Sequence, residues 1–448
     1  MMLNVDSKKL ISLLCENGYS AYAVGGCVRD SILKNEVSDI DITTSAKPDE
    51  TERILSENGI KFFETGLKHG TITAVLNGEN YEITTFRSDG DYLDSRHPSS
   101  VNFVDRLEDD LSRRDFTINA LAYNDSEGVV DLFGGIDDIN NKLIRAVGEP
   151  VERFKEDALR IMRALRFSAV LGFDIEEKTE KAMFDLKDNL LNVAYERNFI
   201  ELKKLLLGDF AEDVLMKYRD IIAVLIPELK PCFDFPQNSK WHIYDVYTHI
   251  VKTVCVSPKK DYMRFALLLH DIAKPDCKTT DEHGQDHFKG HAEKGVEYAR
   301  VILDRFRVSN EFRDKVIKLV EIHDMRISVK RSNIKKWMRN IGEDMTFDYI
   351  DLKIADLLTH NAERSNPEIE ELKYIRTTAL DILEKGEPYR ISDLKIDGRD
   401  LTDIGFSGAE IKDELESLIS VISGSPELNN ETWLKKQAAV DYKLLKKE

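Results

Sequence analysis

Apolar positions in the first part of the chain fall into short runs and alternations, broken by glycine and asparagine turns; later they recur at helical spacing. Residues 6–18 are amphipathic and close on Gly18, which predicts a helix with a glycine C-cap. The short apolar run at residues 22–24 predicts a strand. Gly25 and Gly26 then let the backbone turn tightly and approach a ligand without Cβ interference. Residues 28–33 predict the first turns of a helix. Residues 38–43 predict a second strand in which Asp39 and Asp41 alternate with Ile40 and Ile42, so a period of two sets both carboxylates on one face. A helix is predicted over residues 48–58. Strands follow over 70–76 and 80–86, joined at Asn77-Gly78, a hairpin signal; Glu82 lies on the second. From residue 151 the spacing becomes helical, with Phe154, Ala158, Ile161 and Leu165 on one face. Helices are expected to dominate from there to the end.

Two acids on one strand face repel each other unless a cation lies between them, and Mg²⁺ characteristically uses one or two carboxylates plus substrate phosphates. A solvated hairpin edge is the competing reading of the pair alone. The glycine turn upstream shifts the balance, because a turn opening a helix, with Arg29 beside it, offers amides and a charged fork to a phosphate. Residues 87–98 are polar, contain glycine and lack periodicity, which predicts a mobile surface loop. Arg113, Arg114 and Asp115 precede an apolar stretch; an acid flanked by two arginines can stay ionised while accepting a hydroxyl hydrogen bond. Capping a helix is the simpler role for that aspartate.

Composition narrows the class. The chain has 448 residues, 42% hydrophobic and 33% charged, enough for roughly two to four globular domains. No apolar run of ~18 residues and no basic-then-apolar leader pattern occurs, which predicts a cytoplasmic protein without a membrane partner. The five cysteines lack CxxC spacing, so neither disulfides nor zinc ribbons are expected. A net charge of −18 argues against indiscriminate polyanion binding, so contact with nucleic acid must be local. Candidate basic patches are residues 153–166, then Lys330, Arg331, Lys335, Lys336 and Arg339 around Trp337, and Lys435 with Lys436 beside Trp433. Each is equally compatible with a solvated helix face.

GGCVRD followed by SDIDITT resembles the head of the class II tRNA nucleotidyltransferase and poly(A) polymerase family, and the similarity extends to about residue 205. The resemblance implies a polymerase-β-like head. It makes Asp39 and Asp41 ligands of catalytic Mg²⁺ with Glu82 as a third acid, and it assigns the triphosphate to Gly25, Gly26 and Arg29. Arg113, Arg114 and Asp115 match the ribose-recognition element, and residues 87–98 resemble the flexible loop of CCA-adding members. The EDxxRxxR pattern containing Asp157, Arg160 and Arg163, followed by Arg166, resembles the base-reading helix. Its chemistry follows from hydrogen bonding. A fixed acceptor, Asp157, beside a fixed donor, Arg160, matches the amino group and adjacent ring nitrogen of cytosine and of adenine. Uracil and guanine present a carbonyl and an N–H there, and would leave buried groups unpaired.

Eight of the ten histidines lie after Trp241. His249, His270 with Asp271, His291, His323 and Asp356 fall in several predicted helices, and such a set suits a divalent metal. Their order resembles the HD phosphohydrolase domain: His249, His270, Asp271 and Asp356 match its primary ligands, and His291 and His323 match positions that widen the site. The tail, helical around Gly398 and Gly405, resembles the tRNA-contacting end of bacterial CCA-adding enzymes.

The expected fold is therefore α+β: a mixed α/β nucleotidyltransferase head (1–147), then an all-α neck (148–228), HD domain (229–375) and tail (376–448). The expected activity is addition of CCA to the 3′ end of tRNA from CTP and ATP, and the HD resemblance implies phosphohydrolysis as a second activity. An enzyme adding only A, or a poly(A) polymerase, shares the head motifs; a non-catalytic RNA-binding module leaves the intact acids and arginines without a purpose.

Overall fold

The chain enters its first helix, α1 (Val5–Glu16), through Asn4, whose side chain accepts from the Ser7 amide, and leaves it at Asn17 before Gly18 turns with φ +90°. That turn delivers β1 (Ala21–Val24), buried throughout. The computed structural model describes residues 3–37, 39–66, 70–89 and 101–446. The chain folds as two compact units, Met1–Pro227 with Arg305–Arg307, and Glu228–Asp304 with Val308–Glu448.

In the first unit, α2 (Gly26–Ile32), β2 (Asp41–Thr44), α3 (Pro48–Glu57), β3 (Lys61–Gly66), β4 (Thr71–Leu76) and β5 (Glu79–Thr85) follow β1. The short pair β6 (Arg87–Asp89) and β7 (Val101–Phe103) comes next, then α4 (Leu107–Ser112), β8 (Leu121–Asn124) and β9 (Gly128–Asp131). One seven-stranded sheet runs β3-β4-β5-β2-β1-β8-β9. Its β2–β5 pair is parallel and the other pairs are antiparallel. Asn77 and Gly78 both take positive φ, 51° and 88°, as a primed hairpin turn requires between β4 and β5. Tyr22, Val24, Phe86, Leu111, Ala120, Ala122 and Val147 form a core cluster on this sheet.

Two expectations change here. The second strand starts at Asp41, so Asp39 precedes the ladder and strand period does not set its direction; Ser38 lies outside the described residues. Strand β3 has no counterpart in the sequence reading, because its edge position leaves it without a buried face and hence without alternation. Of the expected loop at residues 87–98, only 87–89 are described, and the rest lies outside the described residues.

Helix α5 (Gly135–Asn140) and β10 (Leu143–Ile144) lead into α6 (Pro150–Glu156) and α7 (Leu159–Leu171). β11 (Asp174–Ile175) pairs in parallel with β10, and α8 (Glu177–Leu186), α9 (Tyr195–Leu206), α10 (Ala211–Lys217) and α11 (Arg219–Leu225) complete this unit's helices before its boundary. Gly208 has its amide bonded to Leu205 and lies so close to α7 that a Cβ there would sit 2.3 Å from the Ala169 carbonyl oxygen.

The second unit opens with α12 (Val246–Val256), α13 (Asp261–Leu269) and the short α14 (Lys274–Cys277), then a two-stranded hairpin of β12 (Thr279–Thr280) and β13 (Asp286–His287). Helices α15 (His291–Phe306), α16 (Asn310–Ile322), α17 (Arg331–Ile341), α18 (Glu343–Leu358) and α19 (Ala362–Glu384) follow. The tail helices α20 (Gly398–Ile404), α21 (Ala409–Gly424) and α22 (Glu431–Leu445) enclose their own cluster around Leu401, Leu418, Ile419, Ile422 and Leu434. No described helix is long and apolar enough to cross a membrane, and all five cysteines are free.

Candidate active site and metal centre

The sheet register gathers the head's acids. Asp41, first residue of β2, stands opposite Val24 of β1 on one side and Glu82 of β5 on the other. Val24 runs directly into the Gly25 turn, so turn and carboxylates share one end of the sheet. Asp41 has an outer face open to solvent while protein crowds its inner face. That partial desolvation, opposed by Arg114 and reinforced by Glu82 and Asp39, pushes its carboxyl above the ordinary value. Repulsion among three acids is what a divalent cation relieves, and an all-oxygen set suits a hard ion.

Gly25 takes φ +78°, and a Cβ there would meet the Arg114 Nη1 at 2.9 Å. The turn is thus walled by an arginine. Arg29 is otherwise placed than expected: its guanidinium bonds Asp30 (2.9 and 2.8 Å) and Asn119 Oδ1 (2.6 Å), lies over Phe167 and is buried. It braces the turn from behind.

Arg113 and Arg114 do not flank Asp115 as the sequence order implied. Both turn to Asp110, a fully buried carboxylate of α4: Arg113 at 2.7 Å and Arg114 at 3.5 Å. Asp110 also accepts from Thr43 Oγ1 of β2 (3.3 Å) and from the Arg87 amide (3.4 Å). Burial alone would raise its carboxyl, but the two arginines hold it below the ordinary range. Asp115 instead receives Arg163 from α7 (2.8 and 2.7 Å) and Asn119 (3.0 Å). Its burial is outweighed by Arg163 and Asn119, and its carboxyl sits at about 2.

Asp157 and Arg160 do not share a helix. α6 ends at Glu156, Asp157 takes an extended conformation (φ −142°, ψ 102°), and α7 starts at Leu159. The helical spacing expected from residue 151 onward therefore does not hold across this pair. In the break, Asp157 accepts from the Leu159 amide (3.0 Å) and from Arg197 of α9 (2.9 Å). Arg160 donates to Glu156 (2.7 Å) and to the carbonyls of Arg153 (3.0 Å) and Arg113 (2.9 Å). Arg166 pairs with Glu201 of α9 and stacks on Phe167. An acceptor and a donor are both fixed near the RRD element, although by tertiary partners rather than helical spacing. Asp110, Arg197 and Glu201 were missed by the sequence reading.

In the second unit His249, His270, Asp271, His291, His323 and Asp356 converge from α12, the end of α13, the start of α15, the end of α16 and α18, all buried. Their outer hydrogen bonds fix how they face. The Nδ1 of His270, His291 and His323 lies 2.7, 2.7 and 2.6 Å from the carbonyls of Leu267, Phe288 and Val320, and a carbonyl only accepts, so each Nδ1 carries the proton. His249 Nδ1 lies 3.0 Å from Thr359 Oγ1. The Nε2 lone pairs consequently point inward at one another: His249 and His270 are 3.3 Å apart, His291 and His323 3.0 Å.

Asp271 joins the two histidine pairs. One oxygen lies 3.3 Å from His249 and 3.2 Å from His270; the other lies 3.4 Å from His291 and 3.8 Å from His323. Asp356 adds an oxygen 3.1 Å from His249. Nitrogen and oxygen atoms about 3.0–3.4 Å apart are spaced as the edges of a polyhedron around an ion with bonds of about 2.0–2.2 Å. Converging lone pairs and a shared carboxylate make this a donor set for a divalent metal. Each carboxylate is braced by a lysine three residues away, Lys274 on Asp271 (2.6 Å) and Lys353 on Asp356 (3.0 Å). Burial works against ionising both acids, yet the neighbouring ammonium groups, Lys274 beside Asp271 and Lys353 beside Asp356, favour the carboxylates, and both lie well below the usual range. The set opens on a cavity of about 430 Å³.

Two of the five cations of the expected basic patch around α17 are held in ion pairs: Arg331 with Asp381 and Glu387 (2.7 and 2.6 Å), and buried Lys335 with Glu387 (3.0 Å). Lys435 is likewise held by Asp400 and Glu431.

Comparisons with known proteins follow the same division. Residues 21–145 match the family described as the Poly A polymerase head domain, residues 172–233 the probable RNA and SrmB-binding site of polymerase A, and residues 242–361 the HD domain. The CCA-adding enzyme of Streptococcus suis strain 05ZYH33 is 38% identical over 310 residues, 69% of this chain and 68% of the relative. That of Oceanobacillus iheyensis is 47% identical over 240 residues, 54% of this chain and 58% of the relative. The crystal structure of Bacillus stearothermophilus CCA-adding enzyme in complex with CTP superposes with a TM-score of 0.71 at 26% identity, covering 98% of both chains. Thermotoga maritima CCA-adding enzyme complexed with tRNA shares the fold at 19% identity, with a TM-score of 0.60 over 98% of this chain and 96% of that one.

Proposed function

The chain belongs to the CCA-adding enzyme family, and on that premise we propose that its head adds C, C and A in turn to the 3′ end of tRNA, taking CTP and ATP without a nucleic-acid template. The observation that carries this reading is the pairing at the centre of the sheet where Asp41 and Glu82 stand opposite each other beside the Gly25 turn. Divalent cations on Asp39 and Asp41, which we take to be Mg²⁺, would supply activation of the terminal 3′-hydroxyl and charge compensation for the leaving pyrophosphate. Gly25 and Gly26 leave backbone room for the triphosphate, and Arg114 faces it across the turn. Arg113 and Asp115 belong to the ribose side, with Arg163 keeping Asp115 ionised. The incoming base meets Asp157 as acceptor and Arg160 as donor, which suits cytosine and adenine and leaves uracil and guanine with unpaired groups.

We assign head, neck, HD domain and tail to residues 1–147, 148–228, 229–375 and 376–448, with the tail contacting tRNA. Five free cysteines fit a cytoplasmic setting. A second reading is supported by the converging Nε2 atoms of the HD histidines: the second unit hydrolyses phosphoester ends with a divalent metal, held by His249, His270, Asp271 and Asp356 and extended by His291 and His323.

The head assignment is tested by Asp39→Asn and Asp41→Asn. Each is expected to abolish nucleotide addition while tRNA binding, measured by filter retention, stays within about threefold of the parent, because these carboxylates serve the chemistry and not docking. Normal turnover by either variant overturns the assignment.

A further inference from the structure

The wall of the HD cavity carries two imidazoles that the metal donor set does not use. His242 precedes α12 and His360 follows α18, and a backbone bridge joins them, reinforced by the Asn361 amide donating to the Trp241 carbonyl (2.8 Å). Their rings meet edge to face at 4.5 Å, and both line the cavity. The His360 side chain is only 9% exposed, yet neither of its ring nitrogens has a hydrogen bond, and His242 Nδ1 has none either. Buried polar atoms without partners in a polar cavity call for a ligand, since each unmade bond costs about 1–3 kcal/mol.

His242, His360 and His249 together have the spacing of a metal-binding triad. Two observations argue against a cation there. The Lys274 ammonium lies 3.5 Å from His242 Nε2. His249 already has Nδ1 directed at Thr359 and Nε2 at Asp271 and Asp356. The acid facing His360 is Asp356, at 3.6 Å, beyond hydrogen-bond distance. What remains beside the carboxylates is a recess offering imidazole N–H groups over the positive charge of Lys274, whose own protons go to Asp271, Gln237 and His242, and that is chemistry that receives an oxyanion.

We propose that His242 and His360, with Lys274 at their base, form a subsite for a tetrahedral phosphate group: the terminal phosphoester of a nucleotide-sized ligand, held next to the HD metal centre. The cavity, about 430 Å³, lies within the usual range of small-molecule sites. This deepens the phosphohydrolase reading and rests on it for the identity of the metal-bearing neighbour.

The test uses the full-length chain loaded with Mn²⁺, its metal counted by mass spectrometry, and inorganic phosphate as the probe in isothermal titration. His242→Ala and His360→Ala are expected to weaken phosphate binding about tenfold each, the loss of one hydrogen bond to a charged group. Bound metal and melting temperature are expected to match the parent. His360→Gln, which keeps a donor, should recover part of the affinity, and with a phosphomonoester substrate the alanine variants should raise KM far more than they lower kcat. Phosphate binding at parental strength in both alanine variants overturns the proposal. So does loss of bound metal in either, which would make the imidazoles ligands. If the parent hydrolyses no phosphoester while phosphate binding and its loss in the variants stand, the hydrolase reading fails and the subsite holds.

Discussion

Asp115, between α4 and β8, is tied to α7 through Arg163, and its environment has a consequence in pH. Its folded value of about 2 lies below the ordinary 3.8, because Arg163 and Asn119 outweigh its burial. A depressed acid stabilises the folded state fully above pH 3.8, and that contribution is lost as pH falls through about 2. The shift corresponds to about 2 kcal/mol. Asp115→Asn is therefore expected to lower unfolding stability by about that amount at pH 7 in urea titrations, the gap closing below about pH 4; a gap independent of pH contradicts the ion-pair account. Asp157→Ala belongs to the same scale. Removing the acceptor is expected to let UTP and GTP into the products while affinity for the triphosphate changes little, as read from misincorporation and KM for CTP. Unchanged rejection of UTP and GTP contradicts base reading by hydrogen bonds. At this scale residue identities were legible in the sequence but their partners were not. Asp115 next to Arg113 and Arg114 implied one pairing, and the fold chose Arg163, 48 positions away, leaving the neighbouring arginines to Asp110. Lys274 and Lys353 could have been found, since each stands three residues from a ligand acid on its own turn.

Among the elements, the central strands β1, β2 and β5 were legible from a short apolar run, from alternation and from the Asn77-Gly78 turn. Two features were not readable. Edge strand β3 buries no face, so no hydrophobic alternation marks it. The break between α6 and α7 interrupts an apolar pattern that remains in phase on both sides, with Phe154, Ala158, Ile161 and Leu165 all buried, and so gives no periodic signal. The break matters because it frees Asp157 from the helix and lets Arg197 of α9 fix it. The Gly25 turn is an element whose shape can be tested. Gly25→Ala combines a positive φ with a Cβ 2.9 Å from Arg114. It should cut kcat of nucleotide addition at least about tenfold with a small change in melting temperature, because the clash falls on a side chain at the site rather than on core backbone. A variant with parental kcat contradicts the placement of the triphosphate at this turn.

The molecule as a whole carries a net charge of −18 and two clusters of chemistry, each drawn from one of the two units. Ion pairing takes Arg331, Lys335 and Lys435 out of what the sequence offered as basic patches, so contact with tRNA has to rest on local groups other than these three. Because the head acids and the HD histidines share no residue, His270→Ala combined with Asp271→Ala is expected to lose bound metal and phosphoesterase activity and to leave CCA addition within about twofold of the parent. Loss of CCA addition by the folded double variant would contradict that separation. The claim on which the account depends is addition of three defined nucleotides by the head. The direct measurement incubates tRNA transcripts ending before CCA, after C and after CC with each nucleoside triphosphate alone and with all four, and sequences the 3′ ends. The account predicts that every transcript is completed to CCA, C preceding A, and extended no further. Extension of the CC-ended transcript alone, or long tracts of A, would contradict it.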